Sequence, residues 1–247
     1  MHKLVRYNLF RAFHQVSTYV LPAITPVFAL ISALDATFFS GEPGTDLVLI
    51  YGNALASGKD ILLMLSGCMC GMLIGEDFSV GSYSLGVSSG YSRWKILGGR
   101  TVSCFIVISL ILAESMLISA VLSMLYVDAF GFADVIRLIA LSCLHVVHFC
   151  GLNMLCILLC FVLKKKVNAT AVCLLVNLIL LALLGLLCSK VELLLPLYLK
   201  SVPVIMYAMF GGTENALTVL GSTLIHLILA AAIFFAAGKL FEKEELT

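Results

Sequence analysis

Six runs of mostly apolar residues divide this chain, and nothing else in it constrains the fold so tightly. They cover roughly 17–39, 55–75, 101–126, 136–163, 168–188 and 215–239. Each is close to the 17–25 residues that a helix needs to cross the hydrocarbon of a bilayer. In a chain of 247 residues this leaves little room for anything else. Hydrophobic residues make up 62% of the chain and charged ones 12%, and the mean hydropathy is +1.12. Soluble domains are nearer half apolar and a quarter charged, so the expected fold is an all-α polytopic membrane protein with six transmembrane helices. The first run contains Pro22 and Pro26, tolerable in a membrane where neighbours satisfy the freed carbonyls. The second is the least regular, because Lys59 and Asp60 stand near its outer end; Lys59 is long enough to snorkel to the interface.

The basic residues set an orientation. With the N-terminus inside, the inner segments hold Lys3, Arg6, Arg11, Arg93, Lys95, Arg100, Lys164, Lys165, Lys166, Lys239 and Lys243. The outer ones hold only Lys59, Arg137, Lys190 and Lys200. Such a bias places both termini in the cytoplasm and the chain in the cell (plasma) membrane. Residues 1–16 then read as an interfacial helix, with Leu4, Leu9, Phe10 and Phe13 toward lipid and Lys3, Arg6 and Arg11 on the headgroups. Cleavage as a signal peptide is not expected, since no small-x-small site follows the first apolar run. A net charge of +1 argues against nucleic acid as a partner. The nine cysteines lie within or at the ends of apolar runs and form no CxxC pair, so they read as small hydrophobes rather than as a disulfide framework. No metal site is expected: the HxxH of His145 and His148 with a single Glu is a thin ligand set. No internal repeat or linker interrupts 1–247, which reads as a single transmembrane domain.

Against this background "GEDFSVGSYSLGVSSGYSRWKILGGR", Gly75 to Arg100, is a polar insert between the second and third runs. It begins with the acidic pair Glu76 and Asp77, continues through "FSVGSYSLG", long enough for one or two helical turns, and ends in the turn "SSGYSRWK". Ser, Gly and Asp near helix ends are ordinary capping residues. One reading is therefore a solvated loop whose Arg and Lys anchor a helix to the headgroups.

The order of residues supports a second reading. Gly75, Asp77, Phe78, Ser79, Gly81, Ser82, Gly90, Ser92 and Arg93 follow a pattern that resembles the first cytoplasmic loop of type-2 ABC exporter permeases. The chain departs from that pattern at Tyr83 to Leu85. The resemblance extends to the interfacial helix, six spans and an inward C-terminus, and so to essentially the whole chain. It implies that 76–100 is a coupling loop seated on a separate P-loop ATPase subunit. Phe78 would be the apolar anchor, with Glu76, Asp77 and Arg93 as rim or orienting charges. It further implies a second permease chain, identical or paralogous, with ATP and magnesium held by the partner and no cofactor in this chain. The cargo would be hydrophobic or amphipathic peptides, by analogy with toxin-peptide exporters and lantibiotic-immunity pumps.

This chain carries no P-loop of its own and is not expected to be an enzyme. "GNALASGKD", 52–60, has five residues between its glycines and Asp60 where the magnesium hydroxyl belongs. Nor does any GxSG, HExxH or paired intramembrane Asp suggest a hydrolase. Between the fifth and sixth runs, 189–215 is apolar but broken by Pro196 and Pro203, which suits an outer re-entrant loop or an interfacial one. Glu114 stands deep in the third run and His145 and His148 at similar depth in the fourth. An ionised carboxylate at that depth must face protein or water. A structural Glu–His pair is one reading, and a polar pathway or proton relay the other. The relay would make the chain a proton-coupled secondary transporter. Asn177 and His226 read as hydrogen bonders between helices.

Overall fold

The computed structural model describes residues 2–15, 17–38, 46–127, 129–190 and 216–243. Among these every regular element is a helix: α1 (His2–Phe13), α2 (Ser17–Phe38), α3 (Leu47–Ser79), α4 (Ser82–Ser88), α5 (Arg93–Tyr126), α6 (Phe132–Leu163), α7 (Lys166–Lys190) and α8 (Ala216–Lys243). Four are long and apolar enough to cross a membrane: α3, α5, α6 and residues Leu217–Lys243 of α8. The chain is therefore membrane-embedded. In α2 and α7 the described apolar stretches are shorter, Pro22–Asp35 and Lys166–Asn177. The expected re-entrant loop at 189–215 lies, beyond its first two residues, outside the described residues.

The helices overrun the apolar runs. α3 has 33 residues, about 50 Å of helix against a hydrocarbon core of about 30 Å. It begins at Leu47 rather than near 55, because Asp46 caps it: the backbone there is extended and the carboxylate accepts from the Val48 N–H at 3.4 Å. α5 likewise starts at Arg93, where the Ser92 hydroxyl accepts from the Lys95 N–H. α3 continues through the polar stretch Asn53–Asp60 and ends in Glu76–Ser79, and α5 begins with Arg93–Arg100, so hydropathy alone places these ends too far in.

α3 is the axis of the bundle. It packs on α7 along a stripe of glycines one turn apart, Gly67, Gly71 and Gly75. A Cβ on Gly75 would stand 2.9 Å from the Lys166 Cα, and one on Gly71 would meet the Thr170 backbone. With lipid tails as apolar as any side chain, such backbone contact replaces the hydrophobic effect as the force between helices. A polar seam reinforces the contact. Asn177 Nδ2 donates to the Leu63 carbonyl at 2.7 Å, and Asn153 Nδ2 donates to Ser66 Oγ and to the Phe149 carbonyl, both at 2.9 Å. Cysteines fill the gaps as small hydrophobes do, with Cys70, Cys104, Cys156, Cys160 and Cys173 all buried.

In α2 the two prolines are accommodated locally. Pro26 has no N–H for the Pro22 carbonyl, and the Thr25 hydroxyl donates to that carbonyl instead at 2.8 Å.

Candidate functional site

The polar insert is folded; of the residues singled out in it Asp77 is buried and Glu76, Phe78, Gly81, Ser82 and Arg93 are partly buried, while Ser79, Gly90 and Ser92 are exposed. α3 ends at Ser79, and the chain reverses at Gly81, whose φ of +67° only glycine adopts without strain. The seven residues of α4 follow. A second left-handed glycine, Gly90 at φ +84°, then leads through Ser92 into α5. This elbow is braced from five other helices by two clusters.

The first cluster is ionic. Asp77 has 2% of its side chain exposed and receives Arg11 of α1 at 2.7 Å and Arg100 of α5 at 2.8 Å. Arg11 also donates to Ser82 Oγ, tying the start of α4 to α1. Beside it Glu76 pairs with Lys166 at the head of α7 at 2.7 Å, with Arg11 at 4.0 Å. Arg11 was expected on the headgroup face of α1. It turns inward because a nearly buried carboxylate needs its charge compensated. The apolar side of α1 divides accordingly. Leu4 and Leu9 are partly buried, Leu4 beside Gly99 of α5 and Leu9 against the core, whereas Tyr7 and Phe10 are exposed.

The second cluster is aromatic, with one ring from each of four helices. Phe78 of α3 stacks on Tyr83 of α4 at 4.3 Å between centroids. Phe161 of α6 meets both, at 5.3 and 5.5 Å. Phe241 of α8 closes the group at 5.3 Å from Tyr83 and 5.1 Å from Phe161. Burial, aided by the charge on Asp77, pushes the Tyr83 phenol well above its ordinary pKa, so it stays neutral. Arg93 completes the brace. Its guanidinium donates to the carbonyls of Phe241 and Glu242 at 2.5 and 3.0 Å, capping the end of α8, while the Trp94 indole N–H donates to Glu242 Oε1 at 2.6 Å. A cation there also complements the negative end of the helix dipole.

Among the serines that the elbow leaves outside, three large side chains stand out. Val80 is 54% exposed and Leu85 66%, with Tyr91 beside the second turn also exposed. Neither Val80 nor Leu85 was singled out by the sequence motif, although Leu85 lies in the stretch where the chain departs from it. A leucine on a short polar helix flanked by serines was the available signal.

The intramembrane polar residues do not form one group. Glu114 on α5 lies against Thr25 of α2, Oε2 3.2 Å from the hydroxyl oxygen whose proton goes to the Pro22 carbonyl. His148 and His226 instead meet each other across the α6–α8 contact. His148 donates from Nδ1 to the Leu144 carbonyl at 2.8 Å and places Nε2 3.3 Å from Thr223 Oγ1. His226 donates from Nε2 to the His148 carbonyl at 3.0 Å, and His145 packs on Phe149 at 4.7 Å between ring centroids. Among the described residues no three His, Cys, Asp or Glu side chains converge as metal ligands would. No protein-family model matches the chain, and comparison with curated proteins found no match.

Proposed function

We propose that this chain is the membrane-spanning permease subunit of an ATP-driven ABC exporter, with α4 as its coupling helix. The observation that carries the reading is the elbow itself. A seven-residue helix is tied to α1 through Ser82 and to α3, α6 and α8 through the Tyr83 ring, yet it presents Leu85 outward, with Val80 exposed just before it. A helix braced in this way passes a push on its outer face to the bundle as a rigid body. In this reading Phe78 holds the elbow together and Leu85 takes the anchor role in the partner's groove. Glu76, Asp77 and Arg93 orient the elbow rather than rim the interface.

The remaining parts follow from the same reading. α2 and α7 complete six spans, α1 lies in the cytoplasmic interface with Tyr7 and Phe10 toward lipid, and both termini are cytoplasmic in the plasma membrane. A second permease chain, identical or paralogous, completes the pathway. ATP and magnesium are bound and consumed in the separate P-loop ATPase, and the exported cargo is a hydrophobic or amphipathic peptide. The proton-coupled alternative finds less support, because Glu114 and the histidines engage different helices.

The test is co-purification in mild detergent from the native membrane. The native chain is expected to bring down a P-loop ATPase, and Leu85→Asp to lose it while remaining monodisperse. Retention of export by Leu85→Asp, together with its loss in Glu114→Gln, would reverse the reading in favour of proton coupling.

A further inference from the structure

A groove of about 430 Å³ opens between α5, α6 and α8 on the side of the bundle. Its walls include Phe105 of α5, Val146 and Met154 of α6, and Leu227 and Phe235 of α8, and its polar member is Thr101 of α5. On both α6 and α8 the lining runs over nine residues, about 12 Å of helix rise, close to the ~15 Å that one leaflet contributes to the hydrocarbon. An extended hydrocarbon chain entering from that leaflet matches this length and the apolar walls.

Thr101 sets the level and the polarity. It follows Arg100, whose pair with Asp77 marks the layer where charge begins at the α4 end of the bundle. It is only 5% exposed, and its hydroxyl has no hydrogen-bond partner. Other hydroxyls of these helices bond the carbonyl one turn back: Ser103 to Gly99, Ser142 to Leu138 and Thr223 to Val219. A threonine in a helix exchanges between two χ1 wells, and one such step gives the hydroxyl to a polar group in the groove. A buried hydroxyl left unsatisfied costs about 1–3 kcal/mol, so an occupant with an acceptor at this level is favoured over a plain hydrocarbon.

We propose that the groove is a binding site for one acyl chain of a glycerophospholipid from the leaflet on the α4 side, with the ester oxygen at Thr101 and the tail running toward Leu227. It does not rest on the transport reading and holds for any function of the chain. The test uses the full chain in nanodiscs containing phosphatidylcholine with a diazirine midway along one acyl chain, with adducts mapped by mass spectrometry after illumination. Adducts are expected on Val146 and Leu227, at the deep end of the groove, in excess over the open lipid-facing Leu117, falling about tenfold in Ala231→Trp, which plugs the groove. Thr101→Val, which keeps the side-chain shape, is expected to reduce labelling several-fold with the ester lipid and not with its ether analogue. Equal labelling of groove and open face, or no loss on plugging, would overturn the site. Protection of Val146 and Leu227 in nanodiscs that hold two copies of the chain, with labelling kept at Leu117, would overturn the lipid in favour of a second copy of the chain. Identical responses to ester and ether lipids in Thr101→Val would overturn the ester contact.

Discussion

Tyr83 and Asp77, both buried in the elbow, respond to the loss of their polar groups in opposite ways. Tyr83 is buried among three rings, and its hydroxyl has no partner among the described residues. Tyr83→Phe is therefore expected to stabilise the protein by about 1 kcal/mol, since an unsatisfied buried hydroxyl is removed. Tyr83→Ala is expected to cost about 3–5 kcal/mol through the cavity it leaves. Thermal unfolding in detergent reads both, and a loss of stability in Tyr83→Phe would show that the hydroxyl is satisfied after all. Asp77 carries the opposite risk. Neutralising it strands Arg11 and Arg100 around a nearly buried amide, and breaking a buried pair in this way costs about 3–5 kcal/mol. Asp77→Asn is expected to lower the unfolding midpoint sharply, and Asp77→Asn with Arg100→Gln to cost less than the sum of the two. Strict additivity would mean that the pair is not coupled. The acidic pair and Arg93 were legible in the sequence as functional candidates, but their partners were not. Arg11, Arg100 and Lys166 are 66, 23 and 89 residues from Asp77 along the chain, and no local pattern reports such meetings.

At the scale of elements, the α3–α7 contact decides how the bundle packs. Gly71 lies against the Thr170 backbone, which cannot move aside as a flexible side chain would. Gly71→Val is expected to destabilise by about 1–3 kcal/mol or more through overpacking. Gly221 of α8 has open space where a Cβ would go, so Gly221→Ala is expected to stabilise by about 1 kcal/mol through helix propensity alone. The two variants compared by melting in one detergent separate packing from propensity; equal effects would count against the close contact. The apolar runs were legible because lipid demands about 20 apolar residues in a row. Their ends were not, because Asp46 and Ser92 start α3 and α5 ahead of polar stretches, Asn53–Asp60 and Arg93–Arg100, that hydropathy cannot assign to a helix. The stripe of Gly67, Gly71 and Gly75 was not singled out from the sequence, because what makes it a contact is the backbone of α7 packed against it.

For the whole molecule, Arg11 with Asp77, Lys166 with Glu76, and Arg93 with the end of α8 gather α1, the elbow, the head of α7 and the end of α8 at one end of the bundle. The six-span reading predicts that a cysteine at Ser89 is labelled by impermeant maleimide only from the cytoplasmic face, and one at Gly131 only from the other. Labelling of both positions from one face would require a different number of crossings. Sequence by itself determined that the chain is helical and membrane-embedded, and where its polar insert falls, because hydrocarbon imposes run length and composition on any chain that enters it. It did not determine which residues of the insert face out. Only the tertiary structure turned Phe78, Asp77 and Arg93 inward and left Val80 and Leu85 exposed, because that choice depends on rings and charges brought from α1, α6 and α8. The separation of Glu114 from the histidines was decided in the same way: residues at one depth pair only if their helices present them to each other, and packing sets those rotations.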